Sequence, residues 1–375
     1  MTLALADLDV DAAALRAFLD AELPADAGRV IDLDVLADGL NLVVAVSTAS
    51  ERDAFVVRSP RKFRDASYVN DVAAERRVLE HLASTDVPAP SVVASSDDEG
   101  LLGAPLLVQA YVDGDVVPLG SDLPERFRRP AARERVAHDL VDVLAAIHDV
   151  DVAPLADALD VVSPCEQVER SRARLDAATD ATGLDVPALD AVGDWLHRHA
   201  PDGPGTASDG ALVHGDYRPG NVLLAPGDDP AIAAVLDWET AMLGDPLTEL
   251  GYLLLRWRDP GDPTPALAPI EARYPDCESE FEHLRRANER GFAPFTSKPG
   301  SPTRRELVAR YETATGRAFA DARFYVALAA FNLATVWTDL HHEAVAADEA
   351  SDWPPHIAYV ARFAELVVDG ELPLS

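Results

Sequence analysis

The chain has 375 residues, 48% of them hydrophobic, and sets 65 acidic side chains against 32 basic ones for a formal net charge of −33. That length suits two lobes of unequal size around large cores, and the charge excludes nucleic acid as a partner, because a phosphate backbone is bound through cationic surface. Only Cys165 and Cys277 are present, in no metal-ligand or redox spacing, which excludes a disulfide framework and points to a reducing compartment.

The acid is rich in Asp and spread over every segment, a pattern that suits a halophile cytoplasm, haloarchaeal in type, where molar salt screens self-repulsion. The opening MTLALADLDVDAAALRAFL carries Asp early and lacks a basic leader, and no uncharged apolar run of about 18 residues occurs. A soluble, cytoplasmic protein with no membrane partner is expected.

In chain order, residues 8–22 place Leu15, Phe18 and Leu19 at helical spacing and predict a short amphipathic helix. Three β-rich runs follow at 30–37, 40–49 and 54–60, separated by Asp38-Gly39 and by Ser50-Glu51-Arg52-Asp53 as hairpin turns. Residues 70–82 carry Val72, Val78, Leu79 and Leu82 on one helical face and end before Pro88. SVVASS and PLLVQAYV predict two more strands, with DEGLLG as their turn, and Asp113-Gly114-Asp115 marks a lobe boundary. Beyond it the pattern is mainly helical, apart from strands at LVHGD, VLLA and AIAAVLDWE.

The chemistry concentrates in His214-Gly215-Asp216-Tyr217-Arg218-Pro219-Gly220-Asn221, followed sixteen residues after its Asn by Asp237-Trp238-Glu239. Phosphoryl transfer asks for a base at the acceptor hydroxyl, metal ligands, and positive charge near the phosphates. Asp216 is the candidate base, Asn221 and Asp237 are oxygen ligands suited to Mg²⁺, and Arg218 can neutralise charge on the transferred group.

Asp-Tyr-Arg-Pro-Gly-Asn follows the register of a protein-kinase catalytic loop, and His-Gly-Asp in place of His-Arg-Asp resembles the aminoglycoside phosphotransferase and choline kinase-like family. The run LDWETAMLGDPLTELGYLL is similar to the kinase domain attached to some acyl-CoA dehydrogenases, which phosphorylates hydroxylated acyl groups. The resemblance covers 30–112, 212–255 and a helical stretch at 306–317, and leaves 256–300 unmatched.

The resemblance implies an α+β, protein-kinase-like two-lobe fold, with a small antiparallel β lobe at 1–112 for the nucleotide and a larger helical lobe at 113–375 for the catalytic loop and acceptor. Arg58 takes the place of the strand cation that holds the phosphates, and Glu75 orients it. Gly39 and Asn41 belong to the hairpin over the nucleotide, and Gln109, Tyr111 and Val112 to the connector that pairs with the purine of ATP or GTP. His214 holds the loop, His148 is structural, Asp245 braces the loop by accepting backbone hydrogen bonds, and Glu249 acts similarly. Glu239 either binds a second metal or faces water, and Tyr252 belongs with Trp257, Tyr311, Phe324, Tyr325, Phe331 and Trp337 to a mainly core aromatic group of which one or two line an acceptor pocket, with no spacing to say which.

The implied acceptor is a hydroxy acid or hydroxyacyl-CoA, with an aminoglycoside or amino alcohol as the alternative and a catalytically silent nucleotide-binding regulator as another. Arg285, Arg286, Arg290 and Lys298 in the unmatched stretch form a candidate grip for an anionic acceptor.

Overall fold

The computed structural model describes residues 5, 8, 10–61, 71–203 and 210–374. Asn70, the first residue of the expected second helix, lies outside them. Helix α1 (Ala12–Glu22) starts later than the periodicity suggests because Asp11 caps it, accepting from the N–H groups of Ala13 and Ala14. Strands β1 (Val30–Asp38), β2 (Asn41–Thr48) and β3 (Phe55–Pro60) follow, then α2 (Val72–Leu82), β4 (Val92–Ser96), α3 (Glu99–Leu102) and β5 (Leu106–Ala110). The expected DEGLLG turn is therefore one helical turn, capped by Asp98 and ended by left-handed Gly103.

The five strands form one antiparallel sheet in the order β1-β2-β3-β5-β4. Alternation along β5 divides its side chains: Leu106 and Val108 join α1 and α3 in an outer core, while Leu107 joins α2 and the main core. On α2, Val72, Glu75, Val78, Leu79 and Leu82 share the buried face, so the 3–4 spacing carries Glu75 inward with its apolar neighbours.

The chain then enters a helical assembly of α4 (Pro130–His148), α5 (Pro164–Thr182) and α6 (Pro187–His199). Short strands β6 (Val161–Val162), β7 (Ala211–Val213), β8 (Val222–Leu224), β9 (Ile232–Val235) and β10 (Met242–Gly244) surround the motifs. β8 and β9 pair as expected, but β7 belongs to a separate sheet in the order β6-β10-β7, because β10 returns beside it. The remaining helices are α7 (Pro246–Leu255), α8 (Ala268–Arg273), α9 (Glu278–Arg290), α10 (Arg304–Thr315), α11 (Ala322–Ala346) and α12 (Trp353–Val368). Gly251 lets α7 lie against α11, since a Cβ there would stand 2.7 Å from the Tyr325 backbone.

The linker out of β5 is fixed to the motif hairpin: Asp115 and Leu224 exchange two backbone hydrogen bonds of 2.9 Å. No helix among the described residues is long and apolar enough to cross a membrane.

Candidate functional site

Four segments converge between the five-stranded sheet and the helices: β3, α2, the loop after β7 and the turn after β9. Arg58 projects from β3 into a buried nest of carboxylates. Its Nη1 donates to Glu75 Oε1 at 2.5 Å, its Nη2 donates to Glu239 Oε2 at 2.6 Å, and the same Nη2 stands 3.3 Å from Asp237 Oδ1. Its Nε is buried without a protein acceptor. Asn41 Nδ2 also donates to Glu239 Oε2, at 2.8 Å. Burial works against charge on Arg58, but Glu75, Asp237 and Glu239 outweigh it and raise its pKa. Burial also pushes Glu75 up to about 7, against the pull of Arg58 and with the help of Glu239 and Asp237.

The loop after β7 turns at Gly215, whose φ of +87° and approach to the Thr240 carbonyl admit no side chain; a Cβ there would sit 2.5 Å from that oxygen. The turn delivers Asp216 into a shell of donors. Tyr252 donates its hydroxyl to Oδ1 at 2.5 Å, Asn221 Nδ2 donates to Oδ2 at 2.7 Å and to the Asp216 carbonyl at 2.9 Å, and Arg218 Nε lies 3.1 Å from Oδ2. Burial alone would raise the Asp216 pKa; the charges of Arg218 and Arg256 and the Tyr252 hydrogen bond overcome it and hold the carboxyl below its ordinary value.

Beneath this loop His214 is fully buried, its ring tilted by 48° against Trp238 with centroids 4.6 Å apart. The Asp216 N–H donates to its Nδ1 at 3.2 Å, which leaves the proton on Nε2 to reach the Leu236 carbonyl at 2.7 Å. His214 thus ties the loop to the strand that carries Asp237, the structural part the sequence suggests.

The expected brace changes hands. Asp245 caps α7, accepting from the Leu247 N–H at 2.9 Å, and takes the Tyr325 hydroxyl at 2.7 Å; it does not reach the loop, because its place at the helix start turns it to the helix's own N–H groups. One turn on, Glu249 accepts the backbone N–H of His214 at 3.0 Å and of Gly215 at 2.7 Å. His148 Nε2 lies 3.2 Å from Glu249, and its Nδ1 lies 2.7 Å from the Tyr311 hydroxyl, so a buried chain runs from α10 to the loop. Burial raises the Glu249 pKa, but the hydrogen bond and charge of His148 and the His214 contacts outweigh it and lower it.

Asp237 adopts a left-handed backbone (φ 64°, ψ 59°), a strained setting for a residue other than glycine and one that turns its half-exposed carboxylate toward Arg58. Val222 faces Val235 across the β8–β9 hairpin and the Leu236 N–H donates to the Asn221 carbonyl at 2.8 Å, so Asn221 and Asp237 stand beside each other. Glu239 does not face water: it is mostly buried and held by Arg58 and Asn41.

Three other expectations are corrected. Gln109 lies inside β5, in register with Val56 and Val92, so it belongs to the sheet and not to the connector. The Tyr111 N–H is already donated to the Ala54 carbonyl at 3.0 Å, so its carbonyl is the backbone group it can offer the connector ahead of Val112. Arg285 and Arg286 are spent on exposed pairs with Glu271 and Glu282, so they do not form an anion grip with Arg290 and Lys298. Gly39 stands open, with nothing within 4 Å of a Cβ position, so the fold itself does not demand glycine there.

Two residues at the site are not singled out by the sequence. Tyr252 is one of seven aromatics among which spacing does not choose, and Arg256 opens the unmatched stretch, yet they stand four apart at the end of α7 and meet through an Arg256 Nη2 to Tyr252 hydroxyl contact of 2.7 Å. Their i, i+4 spacing one turn beyond Glu249 is the signal that was available.

Among curated proteins, the chain is 30% identical over 191 residues to acyl-CoA dehydrogenase family member 10 of Mus musculus, covering 50% of this chain and 17% of that one. It thus spans about a sixth of that relative's length. Among solved structures, a Ralstonia eutropha protein described as a candidate aminoglycoside phosphotransferase superposes with a TM-score of 0.71 and 25% identity over 97% of this chain and 99% of that one. The GDP and kanamycin complex of the phosphotransferase APH(2″)-IIIa, at 14% identity and a TM-score of 0.58 over 93% of this chain and 97% of that one, shares the two-lobe, protein-kinase-like fold. The sequence profile described as the phosphotransferase enzyme family matches residues 34–283, which hold Arg58, Glu75, the Asp216 loop and Asp237 alike. The chain belongs to the phosphotransferase enzyme family.

Proposed function

We propose that this enzyme transfers the γ-phosphoryl group of ATP or GTP, with Mg²⁺, to the hydroxyl of a small metabolite, a hydroxy acid or hydroxyacyl thioester. The observation that carries this reading is the meeting of Asp216, Asn221 and Asp237 opposite Arg58, which gives a carboxylate for the acceptor, oxygen ligands and a phosphate-side cation in one cleft.

Asp216 receives the acceptor's hydroxyl proton as that oxygen bonds to phosphorus and the bond to the β-phosphate oxygen breaks, releasing the nucleoside diphosphate. Its depressed pKa keeps it ionised and able to orient the hydroxyl at neutral pH. Arg218, held against Asp216, meets charge on the transferred group. Arg58, oriented by Glu75, holds phosphate oxygens, for which its unpartnered Nε is one donor.

The donor set fits a hard cation. Asn221 spends its amide nitrogen on Asp216, so its Oδ1 is the atom it can offer, and Asp237 presents a half-exposed carboxylate beside it. When bound there, Mg²⁺ neutralises phosphate charge. Glu239, tied to Arg58 and Asn41, sets the position of both. Residues 1–112 serve as the nucleotide lobe, with Asn41 and Gly39 over the phosphates and Val112 opening the connector, and 113–375 as the acceptor lobe.

The acceptor assignment leans on likeness to an acyl-CoA dehydrogenase relative. It is tested by ATP and GTP consumption in molar KCl with Mg²⁺, using pools of hydroxy acids, their CoA esters, amino alcohols, sugars and aminoglycosides. Turnover is expected with the hydroxy acid or CoA ester pool and is lost in Asp216→Ala; turnover confined to aminoglycosides rejects the acyl assignment.

A further inference from the structure

Arg256 is a buried cation with no carboxylate bonded to it directly; its charge acts on Asp216 from across Tyr252. It ends α7 at 5% exposure, its Nε and Nη1 are buried without hydrogen-bond partners, and its single side-chain bond goes to the neutral Tyr252 hydroxyl. Its guanidinium lies 4.2 Å from the centroid of the Tyr252 ring. Among the described residues, it forms no ion pair; of the other buried guanidiniums, Arg58 and Arg304 meet acidic partners, and Arg133, also without an ion pair, donates to the Pro299 carbonyl, whereas Arg256 reaches only a side-chain hydroxyl beside Asp216. Burying an unpaired charge is costly, and a chain with 65 acidic residues had ample means to pair it.

The place of Arg256 gives the vacancy a meaning. Tyr252 sits between it and Asp216, with its hydroxyl 2.5 Å from Oδ1. That is hydrogen-bond distance, where an acceptor hydroxyl must come to give its proton to Asp216. Between Tyr252, Arg218 and Asn221, both Asp216 oxygens already hold donors, so an incoming hydroxyl competes with them for the carboxylate. Tyr252 is the one uncharged hydroxyl among them, chemically like the group that displaces it.

We propose that Tyr252 and Arg256 form the acceptor subsite and select a small hydroxylated carboxylate. The acceptor's hydroxyl takes the place of the Tyr252 hydroxyl on Asp216, and Arg256, released from Tyr252, pairs with the acceptor's carboxylate through Nη2 and the donors now unpartnered. A polycationic acceptor meets Arg218 and Arg256 as like charges and is disfavoured. This rests on the kinase reading above and deepens it by naming the residue that reads the acceptor's charge.

The test is binding of 2-, 3- and 4-hydroxybutanoate, and of the matching uncharged butanediols, to the full chain with Mg²⁺ and a non-hydrolysable ATP analogue, followed by calorimetry. The best hydroxy acid is expected to bind roughly tenfold or more tighter than its diol, the worth of one charged hydrogen bond. Arg256→Gln is expected to erase that preference while the nucleotide analogue still binds, which also shows that the variant folds. Arg256→Lys recovers part of it. Tyr252→Phe, which removes the competitor for Asp216, is expected to tighten the hydroxy acid. Equal affinities for acid and diol in the wild type, a preference that survives Arg256→Gln, or weaker acid binding by Tyr252→Phe would each overturn the proposal. Carboxylate-selective binding without any phosphoryl transfer leaves this inference standing and rejects the kinase reading; turnover of diols in preference to acids does the reverse.

Discussion

Arg58 Nη2 and Glu239 Oε2 stand 2.6 Å apart although 181 residues separate them in sequence, and this contact ties the β3 strand to the turn that carries Asp237. Asn41 reinforces it on the same oxygen. In Glu239→Ala the nucleotide-free protein is expected to lose about 1–3 kcal/mol of stability, the usual cost of removing a partner from buried charged donors. With saturating Mg-nucleotide the gap to wild type should narrow, since phosphate then occupies Arg58. Thermal melting of both proteins with and without nucleotide checks this, and an unchanged gap rejects it.

Asp216→Asn keeps the shape of the site and removes the proton acceptor. Turnover should fall about 10²- to 10⁴-fold, the range for a lost general base. Nucleotide affinity should change little, because Arg58, Glu75 and Asp237 are untouched. Steady-state rates set beside calorimetric nucleotide binding separate the two quantities.

Glu249→Gln removes the charge that holds the His214 and Gly215 N–H groups. A loss of about 1–3 kcal/mol is expected at neutral pH. The Glu249 pKa is lowered in the fold, so its contribution is present above the unfolded value of 4.5 and vanishes as pH falls through the folded value. The stability difference between wild type and variant should therefore be flat at pH 6–8 and shrink below pH 4.5, as denaturant titrations at several pH values will show.

Glu75 has the opposite sign. Its pKa rises from 4.5 to about 7 on folding, so the folded state holds a proton the unfolded chain releases. The resulting stability is fully present below pH 4.5 and is lost as pH rises through about 7. Measured against Glu75→Gln, wild type should lose relative stability between pH 4.5 and 7 and then level off; a difference that grows with pH contradicts the assignment.

With a formal charge of −33, the folded chain repels itself in dilute buffer. The melting temperature should rise steeply between dilute buffer and molar KCl, where charges beyond a few ångströms are screened. A melting temperature indifferent to KCl rejects the halophilic reading.

The strands of the small sheet were legible because each is an uninterrupted β-rich run between turn residues, and 30–37 became Val30–Asp38 with one residue's change. Asp216 and Asn221 were legible as neighbours on one short loop, and Asp237 because its place after an apolar strand matches the family's metal motif; the β8–β9 pairing then brings it beside Asn221. What was hidden depends on return paths. The Val161–Val162 strand is too short to show a period, and it exists because Leu243 and Gly244 pair with it. Asp245 and Glu249 are both acids near the same turn, and nothing in their spacing says which reaches the loop; the helix start decides it, since a capping carboxylate cannot also brace. Tyr252 reads as core because it is an aromatic on an apolar helix, and only the fold shows that its hydroxyl touches Asp216.

The paired backbone bonds of Asp115 and Leu224 leave Tyr111 to Gly114 as the whole strap between the sheet's last strand and the catalytic hairpin. The strap is anchored at its start as well, by the bond from Tyr111 to Ala54. With the Val235 N–H also donated to the Pro88 carbonyl at 2.8 Å, the sheet is tied to both strands of the catalytic hairpin, so a change in the angle between them has to be taken up within this short strap or at the cost of those backbone bonds.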